Sequence, residues 1–506
     1  MSVGGLLIAV FALHALFALA VGTHGWDDGA ITMGYANTFA DTGRIALTPP
    51  SEVVEGFSSP LWFLLLAGTY RLIPLDFGGM ILAAQLWTAF FAAVGAAVLY
   101  ALLRPVLTRS AWLVSLLVFA SFLSETANGM EMTALSALAL ATVRALQRPA
   151  TGAIVLLVLG GLAPWVRLEA GGYVIVGALV LFAMTRDVRR AGLIAAGAFM
   201  SMIVLSGLRL AIFGSLLPNT MLAKRWPPYL ESDIAQRWYI VVELAFVLAP
   251  AAILVTIGVM GNWHWRRPTT PPASAYILGY LIAVAGFNLV VGKNWGYLGR
   301  MEQSVVAVTV VLVVYAAPRT MQAIESRWRL ATAVILLLAL TLFGLKVQGM
   351  GWPLGRTDGT TPAATRNVQL AAEDIRARLD LPTASVLIAD VGGAGLCCKK
   401  LRILDLALLT NRELARNGYS ALPGLIDRER PDIIGTHGEW STITGVYALD
   451  SFRKNYTPVR FKKLWMWFYV RNDHIAALDC HPTDAAPADP IDRAYVRSVG
   501  KVCALE

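Results

Sequence analysis

The sequence predicts a polytopic α-helical membrane protein that ends in an α/β domain, on three observations. Hydrophobic residues make up 57% of the 506 and charged residues only 15%, with a mean hydropathy of +0.60; a soluble fold cannot bury so much apolar surface. Before residue 350 the apolar residues gather in stretches of roughly 17 to 24, long enough to cross a hydrocarbon core about 30 Å thick. Beyond that point the polarity is that of an ordinary soluble domain, so the chain divides into a membrane part over 1–349 and a soluble part over 350–506.

Taken in order, the expected spans are 3–23, 79–103, 111–127, 130–147, 151–165, 170–184, 191–213, 239–260, 274–291, 301–317 and 330–348, about eleven in all. The first, Ser2 to Thr23, has no basic flank and no clear cleavage site, so it reads as a retained helix. Basic loops at Arg104 to Arg109, Arg144 to Arg148, Arg186 to Arg190, His264 to Arg267 and Arg319 to Arg329 mark the cytoplasmic side. This puts the N-terminus inside and the soluble domain outside. The stretch from Pro60 to Pro74 breaks that parity if it crosses, and it is short and interrupted by Arg71, so it reads as a helix along the outer interface. Trp26, Trp62, Trp165, Trp226, Trp238, Trp263, Trp265, Trp295 and Trp352 fall near span ends, where belt positions are expected.

A net charge of +9 excludes little by itself. Because the basic residues sit in short loops between apolar segments, the charge reports topology rather than a nucleic-acid face. All four cysteines, Cys397, Cys398, Cys480 and Cys503, lie in the soluble part without zinc-type spacing. Outside the cytoplasm a pair such as Cys480 and Cys503 is free to form a disulfide; unpaired thiols are the alternative.

Charged residues beside spans are costly and usually mark a site. Here they collect on one face: Asp27, Asp28, Asp41, Arg44, Glu52 and Glu55, then Glu125 and Glu131, then Arg167 and Glu169, then Lys224 and Arg225, then Lys293 and Arg300. In Trp26-Asp27-Asp28-Gly29, two adjacent carboxylates repel each other, which makes one the better proton acceptor and a candidate general base. Capping of a helix that begins near Gly29 is the competing reading. In Leu217-Pro218-Asn219-Thr220 through Lys224-Arg225, a possible helix start with two following cations can hold a phosphate; headgroup snorkelling is the alternative.

These segments together resemble bacterial GT-C glycosyltransferases that use a polyprenyl-phosphate sugar, most closely the group containing the mycobacterial terminal β-(1→2)-arabinofuranosyltransferase. The resemblance runs over most of the chain: Asp27-Asp28 through Tyr35-Ala36, Glu55-Gly56-Phe57-Ser58-Ser59-Pro60-Leu61-Trp62, Gly129-Met130-Glu131, Arg167-Leu168-Glu169, Leu217-Pro218-Asn219-Thr220 ending in Lys224, and Ile403-Leu404-Asp405-Leu406. Gly34 stands where the pattern has Arg, and Met132 interrupts the usual GMETAL. The resemblance implies a multi-pass enzyme of the bacterial cytoplasmic membrane. It would transfer a sugar, D-arabinofuranose by the nearest group, from a polyprenyl-phosphate donor to a cell-envelope glycan or glycoprotein at the outer face. Asp27 or Asp28 is then the base; Lys224, Arg225 and Arg167 hold the donor phosphate; Glu55, Glu131, Glu169 and Asn219 orient sugar hydroxyls or those cations. No cofactor is required, although the adjacent acids are compatible with a divalent cation.

In the soluble part a helix over Asn367 to Leu379 and strands at Ser385 to Asp390, Leu401 to Leu406 and Asp432 to Gly435 are expected, hence an α/β domain. Val391-Gly392-Gly393-Ala394-Gly395 follows a strand but lacks dinucleotide spacing and reads as a plain turn. A transporter or flippase for a lipid-linked sugar is the competing class, and a nonenzymatic assembly factor a third. Neither internal repeats nor charges at mid-depth, the usual marks of a transporter, are found.

Overall fold

A computed structural model describes residues 2–108, 110–227, 229, 271–291, 303–316, 361–461, 464–483, 485–499 and 502–505. The expected spans 239–260 and 330–348, the boundary near residue 350, Lys293 and Arg300 lie outside these residues.

Helices occupy the apolar segments. They are α1 (Val3–Val21), α2 (Asp28–Thr42), α3 (Pro60–Leu72), α4 (Phe77–Leu103), α5 (Ala111–Ala120), α6 (Leu123–Asn128), α7 (Met132–Gln147), α8 (Ala153–Val166), α9 (Leu168–Thr185), α10 (Val188–Phe213), α11 (Asn219–Ala223), α12 (Pro271–Val291) and α13 (Gln303–Ala316). Among the described residues α1, α4, α9, α10 and most of α12 are long and apolar enough to cross a membrane, and α5, α7, α8 and α13 are shorter apolar helices. Only 28% of the apolar window of α1, and the same share of α10, is buried inside the protein; exposed Leu16, Leu19, Met200 and Ile203 continue the apolar surface outward. Such surface is stable only against lipid.

Local chemistry accounts for the boundaries. Ser59 caps α3 by accepting from the backbone N of Trp62, with Pro60 at the first helical position, and Asp76 caps α4 through the N of Gly79 at 2.7 Å. α3 buries Trp62, Phe63, Leu66 and Tyr70 and leaves Leu64 and Leu72 exposed, an amphipathic pattern that suits an interface. The expected span 111–127 is not one helix. It breaks at Ser121 and Phe122, where the Ser121 hydroxyl donates to the Val118 carbonyl at 2.6 Å and buried His14 bonds both Phe119 O and Thr126 Oγ1. Local side-chain bonds compete with the helical ladder there.

The C-terminal part opens with α14 (Pro362–Arg378), capped by Thr361 and five residues earlier in its start than expected. A seven-stranded sheet follows: β1 (Ala384–Ile388), β2 (Leu401–Asp405), β3 (Ile433–Thr436), β4 (Tyr456–Phe461), β5 (Trp467–Arg471), β6 (His481–Pro482) and β7 (Cys503–Leu505), in the order β2-β1-β3-β5-β4-β7-β6. β1 runs parallel to β2 and β3, whereas β5 is antiparallel to both β3 and β4. The sequence reading reached β1 to β3 and missed the other four strands. Cys480 and Cys503 are bonded, as are the adjacent Cys397 and Cys398.

The two parts are pressed together through α2, whose residues Gly29 to Thr38 are all buried. A Cβ added to Gly395 would lie 2.5 Å from the Gly34 Cα, and one added to Gly392 would lie 2.4 Å from the Asp27 carbonyl oxygen. The turn after β1 is therefore glycine-rich because backbone meets backbone there. A Cβ added to Gly34, where the resembled pattern has Arg, would lie 3.0 Å from the Gly395 Cα. Asn37 Nδ2 adds a bond to Gly395 O at 3.0 Å.

Candidate active site

α2 begins at the C-terminal end of the short link after α1. Asp27 occupies its cap position yet makes no side-chain capping bond, and Asp28 lies in the first turn. Both line a cavity of about 300 Å³ together with Trp26, Ser58, Glu131, Thr220, Lys224 and Tyr229 from the membrane part and Asp390, His437, Glu439 and Trp440 from the C-terminal part. A second, more open and largely apolar groove of about 640 Å³ is walled by Tyr173, Val176, Met202, Leu217 and Phe287, with Arg167, Glu169 and Arg225 on its polar side. Ser58, Thr220 and Lys224 line both. Lys224 therefore stands between a chamber lined by several charged side chains and a largely apolar groove.

Between the two runs a buried ion triad. Arg167, at 2% side-chain exposure, donates from Nη1 to Glu131 Oε1 at 2.6 Å and from Nε to Glu169 Oε1 at 2.5 Å. Two carboxylates more than compensate one guanidinium, and Lys224 lies within electrostatic reach of Glu169, so the Lys224 ammonium balances the excess negative charge of the triad.

Two of the expected residues stand apart from the cavity lining. Both Glu55 oxygens are held by Arg209, Nε to Oε2 at 2.6 Å and Nη2 to Oε1 at 3.0 Å, in a pair buried on both sides. The Asn219 amide nitrogen lies within hydrogen-bond distance of the Leu408, Leu409 and Asn411 carbonyls, and its backbone N bonds Glu55 O. These two residues fix the loop bearing Gly56 to Ser58 and the start of α11, and so position the cavity from behind. Arg225 lines only the groove. Among the tryptophans, the belt expectation fails for three. Trp62 is buried and donates to Gly129 O at 2.9 Å, Trp26 lines the polar cavity, and Trp226 donates to Ala415 O of the C-terminal part. Each indole found a carbonyl or cavity that span-end position alone does not reveal.

Sequence reasoning missed Arg209 and the whole wall from the C-terminal part. Arg209 had a usable signal, as a cation inside an apolar span. Asp390 and His437 had none: they are 47 residues apart, joined only by their hydrogen bond at 2.6 Å. Among the described residues, no group of three or more His, Cys, Asp or Glu side chains is disposed to hold a metal.

Beneath the cavity floor, buried Asp405 accepts from the backbone N of Ala407 at 2.7 Å and of Thr410 at 2.8 Å, shaping the loop whose Ala407 and Leu409 line the chamber. Burial pushes its carboxyl from 3.8 up to about 6, against the pull of those two N–H donors. A folded value above the unfolded one means that the folded state holds the proton longer, so this group costs stability as pH rises from about 4 to about 6 and the full cost persists above. Asp405→Asn removes the titration. Its melting midpoint is expected to rise relative to wild type between about pH 4.5 and about pH 7, and a constant difference would show that Asp405 does not titrate there.

A chamber with paired acids thus adjoins a largely apolar groove within a helical membrane protein. No protein-family model matches the chain, and neither does any curated protein. Solved structures do. ArnT from Cupriavidus metallidurans in the apo state is 14% identical with a TM-score of 0.59, covering 92% of this chain and 97% of that one. The same protein bound to undecaprenyl phosphate is 13% identical with a TM-score of 0.56, covering 93% and 98%. The archaeal oligosaccharyltransferase AglB from Archaeoglobus fulgidus, in complex with an inhibitory peptide and a dolichol-phosphate, gives 11% identity and a TM-score of 0.48 over 89% of this chain and 72% of that one. The expected fold class is borne out: a GT-C type helical membrane fold carrying a C-terminal sheet.

Proposed function

We propose that this chain is a membrane glycosyltransferase that moves a sugar, D-arabinofuranose by the resemblance above, from a polyprenyl-phosphate donor to a cell-envelope glycan or glycoprotein. The reaction takes place at the outer face of the cytoplasmic membrane, with the N-terminus inside and residues 350–506 outside. One observation carries the reading: a chamber lined by several charged side chains and a largely apolar groove share Lys224, Thr220 and Ser58. That is the arrangement a lipid phosphate needs, with its phosphate at the ammonium, its prenyl chain in the groove and its sugar in the chamber. Undecaprenyl phosphate bound to a protein of the same fold supports it.

In this mechanism the acceptor hydroxyl oxygen attacks the anomeric carbon. The bond from that carbon to the phosphate oxygen breaks with its electron pair, polyprenyl phosphate leaves against Lys224, and the hydroxyl proton passes to Asp27 or Asp28. Arg167 with Glu131 and Glu169 holds the partition between chamber and groove, and Arg225 faces the headgroup side.

The test is incubation of the purified full-length protein with radiolabelled polyprenyl-phosphate sugars and a neutral glycan acceptor. A new glycoside is expected; lipid-sugar movement across proteoliposomes without glycoside formation would favour a flippase instead. Lys224→Gln is expected to weaken binding of undecaprenyl phosphate by about 10- to 100-fold, the loss of one charge-assisted hydrogen bond, by titration of the lipid in detergent. Unchanged affinity would remove Lys224 from the phosphate site.

A further inference from the structure

We infer that Asp390, His437 and Trp440 form the subsite that recognises the acceptor, and that the acceptor it selects is a neutral glycan end. The inference rests on the transferase reading above and adds to it the residues that choose the second substrate. Asp27, Asp28 and Lys224 occupy the membrane side of the chamber, while Asp390, His437, Glu439 and Trp440 face them from the C-terminal part. With donor phosphate at Lys224, the opposite wall is what remains for the acceptor.

That wall is held by hydrogen bonds and carries polar side chains. The His437 ring is contacted on two sides, by Asp390 at 2.6 Å through Nε2 and by the Trp465 ring in a T-shaped arrangement at 4.5 Å between centroids. Asp390 itself has a left-handed backbone at φ 52°, a conformation that Asp adopts more readily than most residues. The helix Gly438–Thr444 that carries Glu439 and Trp440 is anchored by buried Asp492, which accepts from Gly438 N at 2.9 Å and from Ser441 Oγ at 2.7 Å. A preorganised wall of this kind loses little freedom on binding.

Its chemistry selects the ligand. Carboxylates at Asp390 and Glu439, with Asp27, Asp28 and Glu131 across the chamber, accept hydrogen bonds from hydroxyls and repel anions, and an indole face suits the apolar face of a sugar ring. A phosphorylated or otherwise acidic acceptor meets the carboxylates of Asp27, Asp28, Asp390 and Glu439 while the donor phosphate occupies Lys224.

The experiment uses the purified full-length protein loaded with undecaprenyl phosphate, and measures calorimetric binding of neutral arabino-, manno- and gluco-oligosaccharides and of the same glycans bearing a terminal phosphate. Wild type is expected to bind at least one neutral glycan at least tenfold more tightly than its phosphorylated form. Asp390→Asn, His437→Gln and Trp440→Ala are each expected to lose that glycan by tenfold or more while keeping their melting midpoint and, within about twofold, their affinity for undecaprenyl phosphate. Binding of no neutral glycan, equal binding of the phosphorylated one, or unaltered binding in all three variants overturns the subsite. Glycan binding without glycoside formation from any lipid donor would leave the subsite standing and remove the transferase reading; transfer with an unchanged acceptor KM in the variants would do the reverse.

Discussion

Arg167→Gln is expected to destabilise the protein by about 3–5 kcal/mol, the cost of leaving a buried ion without its partner. The guanidinium is 2% exposed and holds Glu131 at 2.6 Å and Glu169 at 2.5 Å, so its removal strands two carboxylates beside a groove that is mostly apolar. They would take up protons or draw in water, and either change alters the partition between chamber and channel. The triple variant Glu131→Gln, Arg167→Gln, Glu169→Gln leaves no charge in the triad and should be more stable than the single one, since neutralising a whole buried network costs less than breaking it. Melting midpoints in one detergent compare the two. A triple variant weaker than the single would show that the triad stabilises through its hydrogen bonds rather than by charge balance.

Replacing the paired acids is expected to act on turnover instead. Asp27→Asn and Asp28→Asn, assayed separately, should include at least one variant slower by about 10²- to 10⁴-fold, the usual contribution of a positioned general base. Asp27 sits at the cap of α2 but makes no capping bond, and the loss of one first-turn charge from a helix costs only about 0.3–1 kcal/mol. Melting midpoint and undecaprenyl phosphate affinity should therefore stay near wild type while turnover falls. If both variants transfer sugar at the wild-type rate, neither acid is the base and the proton goes elsewhere in the chamber.

The legible residues and the illegible ones differ in a physical way. Glu131, Arg167 and Glu169 announced themselves because ionised groups beside apolar spans need a partner, and they proved to be one another's partners. Lys224 and Asp28 were placed on the same face by loop parity alone, and both line the same chamber. Glu55 carried the same signal as these, yet its partner, Arg209, sits inside a span 154 residues away and turns it into a brace. β4 escaped notice because Pro458 demotes the run from Tyr456, whereas Trp467-Phe468-Tyr469-Val470 carries the aromatic and β-branched residues of a strand and was legible in the sequence.

What the sequence determined by itself is the solvent of each segment: transfer free energy is a property of composition and length, so the lipid-facing helices, the soluble sheet and the face that gathers charge follow from local residues. Tertiary structure alone decided which charges meet and which walls close the chamber. Gly392 against Asp27 and Gly395 against Gly34 bring the C-terminal part onto α2, and that contact carries Asp390 and His437 to within one cavity of Asp28. Contacts between residues some 360 positions apart depend on backbone clearance and shape, which no local pattern encodes.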